Sequence, residues 1–265
     1  MRKIFALLVA VSAAFTGCTS SGDGGGDDGG QLSGDCALKI INGESCPAGK
    51  GPVALIVSED SSGRPTAMCS GAFIDRNKVI TAAHCQLLFV SPTVKVYTGD
   101  TAVKAVSFKA HPSYNSSATY AFTYDVGVIT LESSVDITPL PLLLSRSVKA
   151  GDSIYVYGFG LDEEGKTAVD RDWGNSARRT SMVVLGIEQG GIVSQFDTTH
   201  SGACEGDSGG PALAKSDGGS WGIAGVVSGG TTESCQDGTY EVFVELDRQQ
   251  IIEFVQSQAP GMGAV

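Results

Sequence analysis

Three short segments of this 265-residue chain carry side chains that can cooperate in nucleophilic catalysis: Thr81-Ala82-Ala83-His84-Cys85, Tyr124-Asp125-Val126-Gly127-Val128 and Gly206-Asp207-Ser208-Gly209-Gly210-Pro211. A serine hydroxyl is a poor nucleophile near neutral pH unless a base within hydrogen-bond reach takes its proton during attack. Ser208 is the candidate nucleophile and His84 the candidate base. A buried Asp125 accepting the other imidazole N–H would hold the ring in the required tautomer and stabilise the imidazolium that forms. The glycines around Ser208 suit a turn in which the Gly206 and Ser208 N–H groups converge on the oxyanion of a tetrahedral intermediate. Removing one such donor costs about 3 kcal/mol of transition-state stabilisation. Each segment has an ordinary reading by itself: a core histidine, a turn or cap aspartate, a flexible glycine loop. That all three occur in one chain makes the ordinary readings improbable together. His111 and His200 have no such company and read as structural or surface residues.

The elements that would position these residues are mostly strands. Short β-rich runs are expected at Val53–Val57, Ala67–Ile74, Lys78–Thr81, Val94–Thr98, Val103–Lys109, Val126–Leu131 and Ile154–Tyr157, separated by Gly, Pro, Asn and Ser. More follow at Met182–Ile187, Ile192–Phe196, Pro211–Ala214, Ile223–Val227 and Tyr240–Val244. Many short strands at close spacing predict a sandwich or barrels. One helix is expected near the end, capped by Asp247, with Ile251, Ile252 and Val255 on one face and packed on the outside. No internal repeat and no phosphate-cradling glycine motif is present.

The chain has 42% hydrophobic and 18% charged residues, enough apolar material for a sizeable core, and 36 glycines that favour turns over long helices. Its formal net charge of −11 excludes a nucleic-acid partner, since that binding needs clustered Lys and Arg. Residues 1–17 read as an export signal: Arg2 and Lys3 precede an apolar stretch, Ile4 to Phe15, too short to span a bilayer. Phe15-Thr16-Gly17-Cys18 resembles a bacterial lipobox, which would make Cys18 a lipidated residue and the membrane a partner through that anchor alone; full secretion is the rival. Ser20 to Gly30 has nothing to bury and reads as a tether. From Cys18 to Cys36 a Gly-rich coil reaches roughly 25 Å. With Cys18 lipidated, the seven cysteines leave an even six, better read as disulfides than as metal ligands in an oxidising compartment.

From about Ile40 to the C-terminal helix the chain resembles the chymotrypsin/trypsin family of serine proteases. The resemblance rests on the TAAHC and GDSGGP motifs in the order His, Asp, Ser. It implies an all-β fold of two six-stranded antiparallel Greek-key barrels with a C-terminal helix. It further implies a serine endopeptidase, expected to be monomeric, that cleaves protein or peptide substrates through an acyl-enzyme; no cluster of residues in the sequence implies a metal or an organic cofactor. In that reading residues 1–17 are signal peptide, 18–39 anchor, tether and pro-segment, and 40–265 the protease domain. Cys69 would pair with Cys85 beside the histidine and Cys204 with Cys235 beside the pocket, which leaves Cys36 with Cys46.

Lys39-Ile40-Ile41-Asn42-Gly43 resembles the family's activation site. An activating protease would cut after Lys39, and the freed ammonium of Ile40 would insert beside Asp207 and turn the Gly206 N–H toward the oxyanion. The Cys36–Cys46 disulfide would keep the pro-segment attached after that cut. The family's primary pocket maps onto Gly202, Ala203, Ser228, Gly230 and Gly238, with Gly202 at its floor and Ser228 hydrogen-bonded near Asp125. No carboxylate stands at the floor, so a large apolar or aromatic side chain is expected before the scissile bond, unless Glu233 or Asp237 reaches in from the Thr231–Asp237 loop. The rival from another class is a catalytically silent binding or adhesion module on the same fold; the intact set of three residues argues against it. An α/β-hydrolase esterase is rejected although Gly206–Gly210 contains G-x-S-x-G, because there the nucleophile precedes its partners in the chain.

Overall fold

The computed structural model describes residues 37–38, 44–45, 51–160, 177–195, 202–230 and 240–265. The expectations for Cys18, Cys36, Lys39, Ile40, Cys46, His200, Glu233, Cys235, Asp237 and Gly238 fall outside them. The strands are β1 (Ala37–Leu38), β2 (Glu44–Ser45), β3 (Val53–Glu59), β4 (Pro65–Asp75), β5 (Lys78–Thr81), β6 (Thr93–Thr98), β7 (Thr101–Ala110) and β8 (Gly127–Leu131). They continue with β9 (Ser153–Gly158), β10 (Arg178–Glu188), β11 (Gly191–Gln195), β12 (Pro211–Lys215), β13 (Trp221–Gly230) and β14 (Tyr240–Glu245), and the chain ends in helix α1 (Gln249–Gln258).

Two closed six-stranded antiparallel barrels result. The first runs β3-β4-β5-β8-β7-β6. The second runs β10-β11-β14-β13-β12-β9 and closes through the pairing of β9 with β10, while β1 and β2 extend it at the edge of β10. Closure leaves no long open edge, which is how an all-β chain of short strands satisfies its backbone hydrogen bonds.

Strand β3 shows how residue order divides the core. All seven of its residues are buried, yet successive side chains point to opposite faces. Ala54 and Ile56 join Phe73, Val79, Val96 and Ile129 inside the first barrel. Val53, Leu55 and Val57 join Ile80, Val128, Leu213, Val226 and Val244 in the core between the barrels. Ile154, Val156, Met182, Ile192, Ala212 and Phe243 fill the second barrel.

The helix departs from the sequence reading at its start. Its N-cap is Arg248, with extended backbone and no side-chain cap bond, so Asp247 does not cap it. The reason is register. Starting at Gln249 carries Ile251 and Val255 into the core between the barrels, where both are fully buried, and that packing outweighs the roughly 1 kcal/mol a cap supplies. Ile252 is only partly buried. His111 is a core residue, stacked on the Tyr124 ring at 4.7 Å and edge-on to Phe254 at 5.1 Å. Burial pushes its pKa below the ordinary histidine value.

Candidate active site

β5 and β8 run antiparallel with Thr81 opposite Gly127, so the end of one strand lies beside the start of the other. Chain leaving β5 and chain entering β8 therefore emerge from the same end of the first barrel. His84 lies three residues beyond Thr81, at the start of a 3₁₀ segment spanning Ala83–Val90, and Asp125 lies two residues before Gly127, after a 3₁₀ turn at Ala121–Tyr124. That register brings the Nδ1 of His84 to 2.7 Å from Oδ2 of Asp125, while the His84 backbone N–H donates to Oδ1 at 2.8 Å.

Asp125 is only 3% exposed, so its charge is held by donors and not by water. A third donor comes from the second barrel, where the Ser228 hydroxyl gives its proton to Oδ2 at 2.5 Å. Ser228 reaches there because a bulge between Val227 and Gly229 shifts the register of β13 against β14 and re-aims the side chain. Across this acceptor the ring of His84 keeps about a third of its side-chain surface open, with a side-chain exposure of 30%.

The loop that carries Ser208 is sewn to both barrels. Gly209 N–H donates to the Val227 carbonyl at 2.7 Å, and Val227 N–H returns to the Gly210 carbonyl at 2.9 Å. From the first barrel, Ser70 N–H donates to the Ser208 carbonyl at 2.8 Å. The Ser70 hydroxyl, fully buried, donates to the Gly206 carbonyl at 2.8 Å and accepts the Phe159 N–H at 2.9 Å. Gly206 and Gly209 have φ of 95° and 81°, a region that side chains disfavour. A Cβ on Gly209 would also stand 2.0 Å from the Thr81 hydroxyl oxygen. The Asp207 side chain, fully buried, accepts from Gly160 N–H at 2.6 Å and Cys204 N–H at 2.9 Å.

A disulfide joins Cys69 on β4 to Cys85, the residue after His84, with Cα atoms 6.3 Å apart, which is the pairing expected beside the histidine. Cys204 is also disulfide-bonded, to a partner outside the described residues. Gly202 and Ala203 are buried, Gly229 and Gly230 are exposed, and Ser228 lies between these states.

A family model described as Trypsin matches residues 40–252. The chain belongs to the trypsin family. Among similar members, a trypsin of Saccharopolyspora erythraea is 28% identical over 206 residues, covering 66% of this chain and 81% of that protein. Chymotrypsin-2 of Vespa crabro is 26% identical over 195 residues, covering 66% of this chain and 83% of that protein. Serine proteinase stubble of Drosophila melanogaster is 28% identical over 221 residues, covering 72% of this chain but 28% of that much longer protein. The trypsin-family barrels thus bring together residues that stand far apart in sequence.

Two buried polar residues near the site were absent from the sequence reading. Ser70 looks like any polar residue within a strand, and only the barrel-to-barrel contact gives it the Gly206 carbonyl. Glu241 looks like an acidic residue on a half-exposed strand, yet it is 3% exposed. The available signal was the period-2 alternation that places Glu241 on the same face of β14 as the apolar Phe243.

Proposed function

We propose that this protein is a serine endopeptidase working through an acyl-enzyme, with His84, Asp125 and Ser208 as its catalytic residues. The observation that carries this reading is the His84–Asp125 pair at 2.7 Å, held from the second barrel by Ser228 next to the loop that bears Ser208. In the first step the Ser208 hydroxyl adds to the substrate carbonyl and His84 takes its proton. Asp125 keeps Nδ1 of His84 protonated, so Nε2 is the basic nitrogen, and its charge balances the imidazolium. The N–H groups of Gly206 and Ser208 hold the oxyanion. His84 then gives the proton to the departing amine, and water repeats the sequence to release the acid.

Activation is read as a cut after Lys39 by another protease, the new Ile40 ammonium pairing with Asp207. Burial of Asp207 directly between Gly206 and Ser208 supports this, since a charge entering there acts on the oxyanion donor itself. Cys36–Cys46 would then keep the pro-segment, and any lipid on Cys18, attached to a monomeric active enzyme. The Cys69–Cys85 disulfide fits an exported protein. The floor of the primary pocket, Gly202 with Ala203 and without a carboxylate, supports a large apolar or aromatic residue before the scissile bond.

The test is labelling by a fluorophosphonate probe before and after treatment with a lysine-specific protease, with Ser208→Ala as control and the Ile40 terminus confirmed. Labelling of the cleaved wild type alone supports the reading. A folded, correctly cleaved protein that does not label overturns it and favours a silent binding module.

A further inference from the structure

The turn that carries Asp125 leads into the first barrel, yet it is fastened by residues of the C-terminal half. Asp125 has φ of −76° and ψ of 60°, and the Val126 N–H donates to the Tyr124 carbonyl at 2.8 Å, so the aspartate is the central residue of an inverse γ-turn. The direction of its side chain is therefore set by the peptides on either side. Thr123 and Tyr124 precede it at the end of the 3₁₀ turn, where backbone carbonyls need partners from outside.

Arg248 meets both residues. Its Nη1 donates to the Thr123 carbonyl, and its guanidinium lies 4.8 Å from the centre of the Tyr124 ring, which also stacks on His111. The Tyr124 hydroxyl donates to Oε1 of Gln250, in the first turn of α1. From the hairpin between β10 and β11, the Gln189 carbonyl accepts the Thr123 hydroxyl at 3.1 Å. Gln189 and Gly190 have φ of 51° and 80°, as a two-residue hairpin turn requires, and Gln189 is the single non-glycine residue of positive φ among the described residues. A Cβ on Gly190 would stand 2.3 Å from Nη1 of Arg248, so the guanidinium packs directly on this turn. Arg248 is also where the helix begins, and the burial of Ile251 and Val255 thus fixes the point from which its side chain reaches Thr123.

We propose that Arg248 is a positioning residue for catalysis: it fastens Thr123 and Tyr124 to the hairpin and helix of the C-terminal half, and so holds the Asp125 carboxylate where Nδ1 of His84 meets it. Arg248 touches no reacting atom. A guanidinium suits the task because one N–H binds a carbonyl while the group lies over an aromatic ring, which the compact ammonium of lysine does less well. The kinetic consequence rests on the endopeptidase reading above; the structural one rests on the His84–Asp125 pair alone.

Two readouts test it. In the activated Ser208→Ala protein, the low-field proton NMR signal of the His84 Nδ1–H reports the bond to Asp125 without turnover; adding Arg248→Ala should shift or abolish it, and Arg248→Lys should bring part of it back. In the active enzyme, counted by fluorophosphonate titration, Arg248→Ala should lower kcat by roughly tenfold to 100-fold with KM within about threefold of wild type. Arg146→Ala, which removes an arginine bonded to Asp152 and to the Lys215 carbonyl, controls for lost stability and should leave both readouts unchanged. Gln250→Ala takes away the acceptor of the Tyr124 hydroxyl and covers the case of an Arg248 variant that does not fold; it should move the same signal by less. A folded Arg248→Ala with wild-type signal and kcat, or an equal loss in Arg146→Ala, overturns the assignment and leaves the endopeptidase reading standing. So does a Gln250→Ala signal that stays in place where Arg248→Ala does not fold. Protein that never titrates, but whose His84 signal moves in Arg248→Ala, removes the endopeptidase reading and keeps the coupling of Arg248 to Asp125.

Discussion

The hydroxyl of Ser70, on β4 of the first barrel, donates to the carbonyl of Gly206 in the second at 2.8 Å while accepting the Phe159 N–H at 2.9 Å. One buried oxygen thus fixes the peptide that directly follows a proposed oxyanion donor, the Gly206 N–H. Ser70 touches no substrate in this arrangement; it is a positioning residue.

Ser70→Ala leaves the Gly206 carbonyl and the Phe159 N–H without this partner in a dry interface. Each unsatisfied group costs about 1–3 kcal/mol, so a comparable loss of stability is expected in urea unfolding of the Ser208→Ala background. In the active protein kcat should fall more than KM rises, because the oxyanion forms only in the transition state. An unchanged kcat would confine Ser70 to stability.

Asp125→Asn keeps the shape of the His84 contact but turns an acceptor-only group into one that can also donate. The imidazole then settles in the wrong tautomer, and kcat should drop by about 10⁴-fold. Ser228→Ala removes one of three donors to Asp125 and should cost far less, on the order of tenfold, a gap that steady-state kinetics of the two variants resolves.

The Cys69–Cys85 disulfide closes a loop with a sequence separation of 16 residues. Replacing both cysteines with alanine frees that loop in the unfolded chain and should lower stability by about 3 kcal/mol. Thermal unfolding of the double variant checks this, and fluorophosphonate labelling shows whether the histidine segment still docks.

Burial, and then the charge of Asp207, push the Glu241 carboxyl up to about 8 from its ordinary 4.5. The fold therefore keeps a proton that the unfolded chain has already lost. Stability from this group is present below pH 4.5, falls as pH rises toward about 8, and is flat above. Melting curves of Ser208→Ala against Ser208→Ala/Glu241→Gln between pH 5 and 9 should show that slope only in the first.

The strands were legible because each is a short run of β-branched and apolar residues between turn formers. Lys78–Thr81 agrees at both ends, and the other expected runs overlap their strands within a few residues. Asp247 was misread as a cap because capping preference is a local signal worth about 1 kcal/mol, whereas the burial of Ile251 and Val255 set where the helix begins. Neither 3₁₀ segment was legible, since Ala83–Val90 is held by its place above the barrel and has no helical period of its own.

By itself the sequence determined the residue types of the site, their order, and the all-β class, because motif spacing and period-2 runs are properties of the chain as written. Tertiary structure alone decided what Ser70 holds and that Glu241 is buried. Both depend on which face of a strand points inward and on what lies against it, the Gly206 carbonyl for the one and the Ala203 N–H for the other. Those are distances between segments over a hundred residues apart in one case, and they come into being only when both barrels close and pack.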